Sequence, residues 1–208
     1  KANVSVRINP DIDAHTHKYV TTGLYENKFG ISQHEFEKLI EIIHKSEHIN
    51  FIGLHFHVGS QITRVDEVFG LECRRVNEIV RYFEEKGLEI KNINLGGGLG
   101  VDYDDPDANP IADFETWFET IAANIVRRPD QAVHVEPGRS LVAQCATLVS
   151  RVLFVKSGET KNFLIMDAGM NDLIRPALYG AYHKIENLSA QMRTFFPTHQ
   201  AYDIVGPV

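Results

Sequence analysis

Short β-branched runs that end in polar or glycine residues recur along the chain, and between them the apolar positions change to helical spacing. Val4–Asn9 is the first run, closed by Asn9-Pro10 and followed by a polar loop rich in His and Thr. A helix is expected after Ser32, with Glu35 three residues on as a capping box and Phe36, Leu39, Ile40 and Ile43 on one stripe. The unit then recurs three times. Ile49–Val58 reads as a strand ending in His57-Val58-Gly59-Ser60, and Val65–Lys86 as a helix stopped by Gly87. Ile90–Leu95 reads as a strand running into Gly96-Gly97-Gly98. The loop Asp102–Asp113, with five Asp and two Pro, leads to a helix over Phe114–Val126. Ala132–Glu136 is the next strand, and Pro137-Gly138-Arg139 follows it. Strands separated by helices, with polar and glycine residues at their carboxyl ends, imply an α/β fold with a parallel sheet and a site at those ends. Four such units make half of a (β/α)8 barrel.

Beyond Ser140 the pattern becomes mostly β. Leu141–Lys156 and Asn162–Met166 read as strands joined by the Ser157-Gly158-Glu159-Thr160 turn, and Tyr202–Val205 as another. Between them, Asp167–Leu188 is a loop-and-helix stretch carrying Arg175-Pro176-Ala177-Leu178-Tyr179. Two domains are expected, a half-barrel over residues 1–143 and a partial β-domain over 144–208.

Composition narrows the class of ligand. Of 208 residues, 21 are basic and 28 acidic, giving a net charge of −7, which argues against nucleic acid or an anionic membrane as partner. A small molecule fits better. No apolar run reaches the length of a membrane span. Cys73 and Cys145 lack a C-x-x-C spacing and read as reduced core thiols, so a cytoplasmic location is expected.

The chemistry gathers where Ala132–Glu136 ends. His134 and Glu136 share a face of their strand, and a buried glutamate there needs a cation or a proton as partner. Gly96, Gly97 and Gly98 allow backbone amides to close around an anion such as a phosphate, with the Ser60 hydroxyl beside them. His55 and His57 lie two apart and face one way. With His134 and Glu136 they suit a metal, as in a barrel hydrolase. Alternatively His57 stacks on a flat heteroaromatic cofactor, and Glu136 keeps its ring nitrogen protonated, so that the ring accepts electrons from a carbanion. Only the second arrangement uses the glycine triplet.

At these residues the chain resembles the alanine-racemase-like barrel of pyridoxal-phosphate decarboxylases. The matching motifs are Arg7 in Val-Ser-Val-Arg-Ile-Asn-Pro, His57-Val58-Gly59-Ser60, Gly96-Gly97-Gly98 and Glu136-Pro137-Gly138-Arg139. Thr22-Gly23-Leu24-Tyr25-Glu26-Asn27-Lys28-Phe29-Gly30 and the segment Asp167–Tyr179 are similar to the diaminopimelate decarboxylases within that group. The resemblance implies a pyridoxal 5'-phosphate site made by Arg7, His57, Ser60, Gly96, Gly97, Gly98, Glu136, Pro137, Gly138 and Arg139. It also implies that Arg139, Arg175 and Tyr179 bind substrate, with Arg175 holding a carboxylate. The implied reaction is loss of CO2 from meso-diaminopimelate to give L-lysine, in a homodimer.

The same resemblance shows what does not match. The family's Schiff-base lysine and its interface cysteine have no counterpart here, so the resemblance assigns neither a catalytic residue nor a metal. The chain is therefore expected to be an internal, inactive fragment that starts at the fifth barrel strand, with open sheet edges and exposed apolar surface. A cofactor-less homologue acting as a binding protein and the metal hydrolase are the alternatives.

Overall fold

The computed structural model describes residues 1–12, 28–189 and 200–207. They form two compact units, one of Lys1–Asp102 with Asn109–Cys145, the other of Tyr103–Ala108 with Ala146–Val208.

The first unit holds β1 (Ala2–Arg7), α1 (Phe36–Lys45), β2 (Ile49–His55), α2 (Val65–Glu85), β3 (Asn92–Asn94), α3 (Phe114–Asn124), β4 (Ala132–His134) and the short α4 (Arg139–Val142). The four strands pair in parallel in the order β1-β2-β3-β4. Each parallel pair needs a crossover, and the helices supply it. Alternation divides the sheet. Leu54 and Ile93 are fully buried on one face, and Phe69, Val76, Ile79 and Phe83 of α2 are buried with them. The opposite face carries Asn3, Ser5 and Arg7 from β1, Asn92 and Asn94 from β3, and His134 from β4. That face is polar. Exposed apolar side chains occur in both units, among them Leu71, Phe118 and Val126 in the first and Val152, Leu153, Phe154 and Val155 in the second. β1 and β4 are the sheet edges.

Helix α2 ends as its sequence predicts, with Gly87 at a φ of +82° that only glycine takes without strain. It packs on α3 through Phe69 and Trp117, whose rings lie 5.5 Å apart. Asp113 caps α3 by accepting from the Thr116 amide. At α1 the expected capping box does not form. A 3-10 turn over Gln33–Glu35 intervenes, the Glu35 amide donates to the Ser32 carbonyl, and the helix starts at Phe36 with no side-chain cap.

The second unit contains β5 (Val152–Ser157), β6 (Asn162–Met166), the single-turn α5 (Arg175–Tyr179) and β7 (Asp203–Val205). β6 lies between an antiparallel β5 and a parallel β7. The expected strand from Leu141 is absent: residues 139–142 are helical, and β5 begins only at Val152. A Pro-Gly pair followed by Arg-Ser-Leu-Val starts a helical turn as readily as a strand, and β-branched residues alone did not separate the two. Cys73 is buried, but Cys145 is exposed rather than in the core. Of the motif Thr22–Gly30, residues 22–27 lie outside the described residues.

Candidate functional site

The strands stop earlier than their apolar runs, and the site is built from the tails. β2 ends at His55, so His57 sits in an extended tail and not on the strand. Backbone bonds continue the ladder past the strand ends: the Phe56 amide donates to the Asn94 carbonyl, Leu95 to His134, and Glu136 to Gly96. Arg7, His55, Asn94 and His134 are register partners across all four strands. Arg7, His57, the glycine triplet and Glu136 thus meet at one rim.

The triplet is demanded by backbone. A Cβ on Gly96 would lie 2.3 Å from the Phe56 carbonyl oxygen, on Gly97 2.1 Å from that of Glu136, and on Gly98 2.5 Å from that of Gly59. Gly96 and Gly98 also take φ of +71° and +117°. No side chain fits at these three positions. Two of the three amides are already engaged, contrary to the expectation that all would face an anion. Gly96 N–H donates to Asn94 Oδ1 at 2.8 Å, and Gly97 N–H to His57 Nδ1 at 3.2 Å. Gly98 N–H has no partner among the described residues, and it sits in the turn that approaches Gly59-Ser60. A phosphate oxygen fits that donor.

His57 accepts from Gly97, so its Nδ1 is unprotonated and the neutral ring carries its proton on Nε2. Burial first, then the positive charge of Arg7, holds its pKa below the usual histidine value, and the same two causes, offset by Glu136, lower His55. A neutral imidazole can stack on a pyridine ring without adding charge. His55 Nε2 lies 3.7 Å from Glu136 Oε2, too far for a hydrogen bond, and with His55 neutral this contact is not an ion pair.

Glu136 was expected to be buried, yet its side chain is 55% exposed. The open polar face leaves it in solvent, so no cation is required. Its close partner is Asn94, whose Nδ2 donates to Oε1 at 2.7 Å. Arg139 donates to Gln61 Oε1 at 3.0 Å, and the Gln61 amide nitrogen in turn bonds the Val101 carbonyl. Gln61 has a φ of +63°, unusual for a side-chain-bearing residue, which brings it next to Ser60 at the rim. Asn94 and Gln61 were not singled out from the sequence. Asn94 had a signal there: it alternates with Ile93 and Leu95 and precedes the triplet by two, so it shares the face of Gly96.

In the second unit, Arg175 opens α5 and Tyr179 closes it, with Gly180 ending the helix in the left-handed region. The guanidinium carbon of Arg175 stands 4.3 Å over the Tyr103 ring, and Nη1 is 3.0 Å from His183 Nε2. Its Nε is buried without a partner. That leaves one donor of the fork unsatisfied. Among the described residues no three His, Cys, Asp or Glu side chains gather as a metal site, and His134 Nε2 is bound to Asn92 Oδ1 at 2.8 Å instead.

Parallel strand–helix units, a glycine turn at their carboxyl ends, and an imidazole and a carboxylate beside it define an α/β-barrel protein of the kind that holds a phosphorylated aromatic cofactor. Residues 1–143 match the family model "Pyridoxal-dependent decarboxylase, pyridoxal binding domain", and the chain belongs to that family. Over its whole length it is 49% identical to the diaminopimelate decarboxylase of Bacteroides thetaiotaomicron and 39% to that of Haemophilus influenzae, covering 52% and 48% of those proteins. The crystal structure of diaminopimelate decarboxylase from Helicobacter pylori complexed with L-lysine superposes with a TM-score of 0.81 at 36% identity, over all of this chain and 50% of that one. The chain spans about half the length of the relatives it matches.

Proposed function

We propose that this chain supplies the phosphate, ring-stacking and ring-nitrogen contacts of a pyridoxal-phosphate-dependent decarboxylase that converts meso-diaminopimelate to L-lysine and CO2. The observation that carries the reading is the rim itself, where three glycines, His57 and Glu136 meet. Gly98 N–H and Ser60 hold the phosphate in the turn that Gly96 and Gly97 shape, His57 stacks on the ring, and Glu136 keeps the ring nitrogen protonated; Arg7, Pro137, Gly138 and Arg139 complete the rim. When bound, the cofactor withdraws the electron pair left by CO2.

Everything else in the reaction is binding and orientation by the chain. The guanidinium of Arg175 takes the distal carboxylate of the substrate, and Tyr179 and Arg139 are the other substrate-binding residues of this reading. Residues 1–143 act as the cofactor-binding domain and 144–208 as part of a β-domain. The working form is a homodimer in the cytoplasm. This chain alone is inactive, since no lysine matches the position that holds the cofactor covalently.

Absorption spectra of the chain with pyridoxal phosphate, before and after borohydride, followed by intact mass, test the reading. Saturable binding that phosphate competes away, without a single-site adduct, is the expected result. A stable adduct would mean that a lysine of this chain serves, and absence of binding counts against the rim as a cofactor site. For the substrate, CO2 release from meso-diaminopimelate is expected only from a protein that contains this sequence together with such a lysine.

A further inference from the structure

One side chain joins the two ends of the rim. Asn94 leaves β3 on the polar face, two residues before Gly96, and its amide is used on both sides. Oδ1 accepts from Gly96 N–H at 2.8 Å, and Nδ2 donates to Glu136 Oε1 at 2.7 Å. These partners settle which amide atom is which, since an N–H faces only an acceptor and a carboxylate only a donor. Asn92, one pleat earlier, meets His134 Nε2 through its Oδ1 at 2.8 Å.

Asparagine suits the position because it carries a donor and an acceptor in one rigid plane; aspartate has no proton to give to Glu136, and serine is too short to span both. The need is specific. Glu136 is more than half exposed and has three rotatable bonds, and the His55 ring beside it is 3.7 Å away and neutral. Gly96 sits in the left-handed region, where the turn depends on what holds its amide. Without Asn94, neither the Glu136 carboxylate nor the Gly96 amide has a side-chain hydrogen bond among the described residues.

We propose that Asn94 is the positioning residue of this site: its single amide sets the spacing between the glycine turn that receives the phosphate and the carboxylate that receives the ring nitrogen. A pyridine phosphate is then gripped at both ends in one register. This rests on the reading that the rim binds such a cofactor, and the experiment separates the two.

The 208-residue chain and the variants Asn94→Ala and Glu136→Gln are each titrated with pyridoxine phosphate, which needs no lysine, and with inorganic phosphate. Asn94→Ala is expected to weaken both ligands by about tenfold, the scale of one hydrogen bond to a charged group. It is also expected to lose the absorption signature of a protonated ring nitrogen in bound pyridoxine phosphate, while the thermal midpoint stays within a few degrees. Glu136→Gln is expected to lose the signature and keep the phosphate affinity. Unchanged affinities and signature in Asn94→Ala overturn the role of Asn94 and leave the cofactor reading standing. An unchanged signature in Glu136→Gln overturns the cofactor reading instead. Amide NMR decides the role of Asn94 even if Asn94→Ala does not fold or the chain binds neither ligand. When Glu136 is replaced by Gln, the Asn94 side-chain amide and Gly96 N–H signals are expected to move together, and a Gly96 signal that stays put overturns the proposal.

Discussion

Arg175 gives an Nη1 proton to His183 Nε2 across 3.0 Å. An arginine only donates, so His183 must be neutral with its own proton on Nδ1. Burial, and then the charge of Arg175, holds the His183 pKa below the ordinary value. Lys184 beside it is paired with Asp107 and Glu186, and Tyr103 closes the other side with its ring edge-on to His183. The fork is thus oriented before any carboxylate arrives.

A pH dependence follows from that bond. The unfolded chain takes up this proton near pH 6.5 and the folded chain only at lower pH, so stability falls as pH drops below about 6.5 and is level above it. His183→Gln keeps an acceptor but does not titrate. Urea unfolding at pH 7.5 and pH 5.5 is expected to show a smaller loss in His183→Gln than in the unmodified chain; equal losses count against the neutral His183. His55 and His57 add the same slope to both proteins and cancel in the comparison.

Glu72 of α2 is fully buried, and neither carboxyl oxygen has a partner. Burial raises its pKa well above the carboxylate range, so the folded chain holds the proton. Its contribution is present below the unfolded value near 4.3 and lost as pH rises toward the folded one. Glu72→Met, of similar volume, is expected to stabilise the chain by about 1–3 kcal/mol at pH 8 and by less at pH 4. Equal effects at the two pH values would mean that the charge is not the cause.

Gly97→Ala places a methyl 2.1 Å from the Glu136 carbonyl oxygen, so the rim must open between β3 and β4. A loss of about 1–3 kcal/mol in stability is expected, and with it loss of phosphate binding. Gly70→Ala is the control: it lies inside α2 and its Cβ would meet nothing nearer than 3.5 Å, so no loss of stability is expected. Similar losses for the two variants would argue against the close backbone approach at Gly97.

The cysteines differ in exposure. Cys145 is exposed, whereas burial pushes the Cys73 thiol up to about 12. A thiol reagent at pH 8 is expected to label one cysteine in the native chain and both in denaturant. Rapid labelling of two native thiols would mean that α2 opens easily.

Period and punctuation carried the order of elements. Ile93 and Leu95 alternating with Asn94, the stripe of α1, and Gly87 after α2 are local signals, because side-chain spacing follows directly from backbone geometry. The motifs at Gly96–Gly98 and Glu136–Arg139 likewise stood out as strand-end chemistry. Other features depended on neighbours distant in the chain. β2 and β4 stop before His57 and Glu136 because tail-to-tail backbone bonds replace the regular ladder there. Glu136 is in solvent and tied to Asn94, and the Gly97 amide is taken by His57, because hydrogen bonds across strands join residues about 40 positions apart. The Arg175–His183 bond and the Tyr103 ring under the guanidinium were equally invisible in the order of residues. Periodicity reports which face a residue takes, whereas the partner it meets on that face is set by packing.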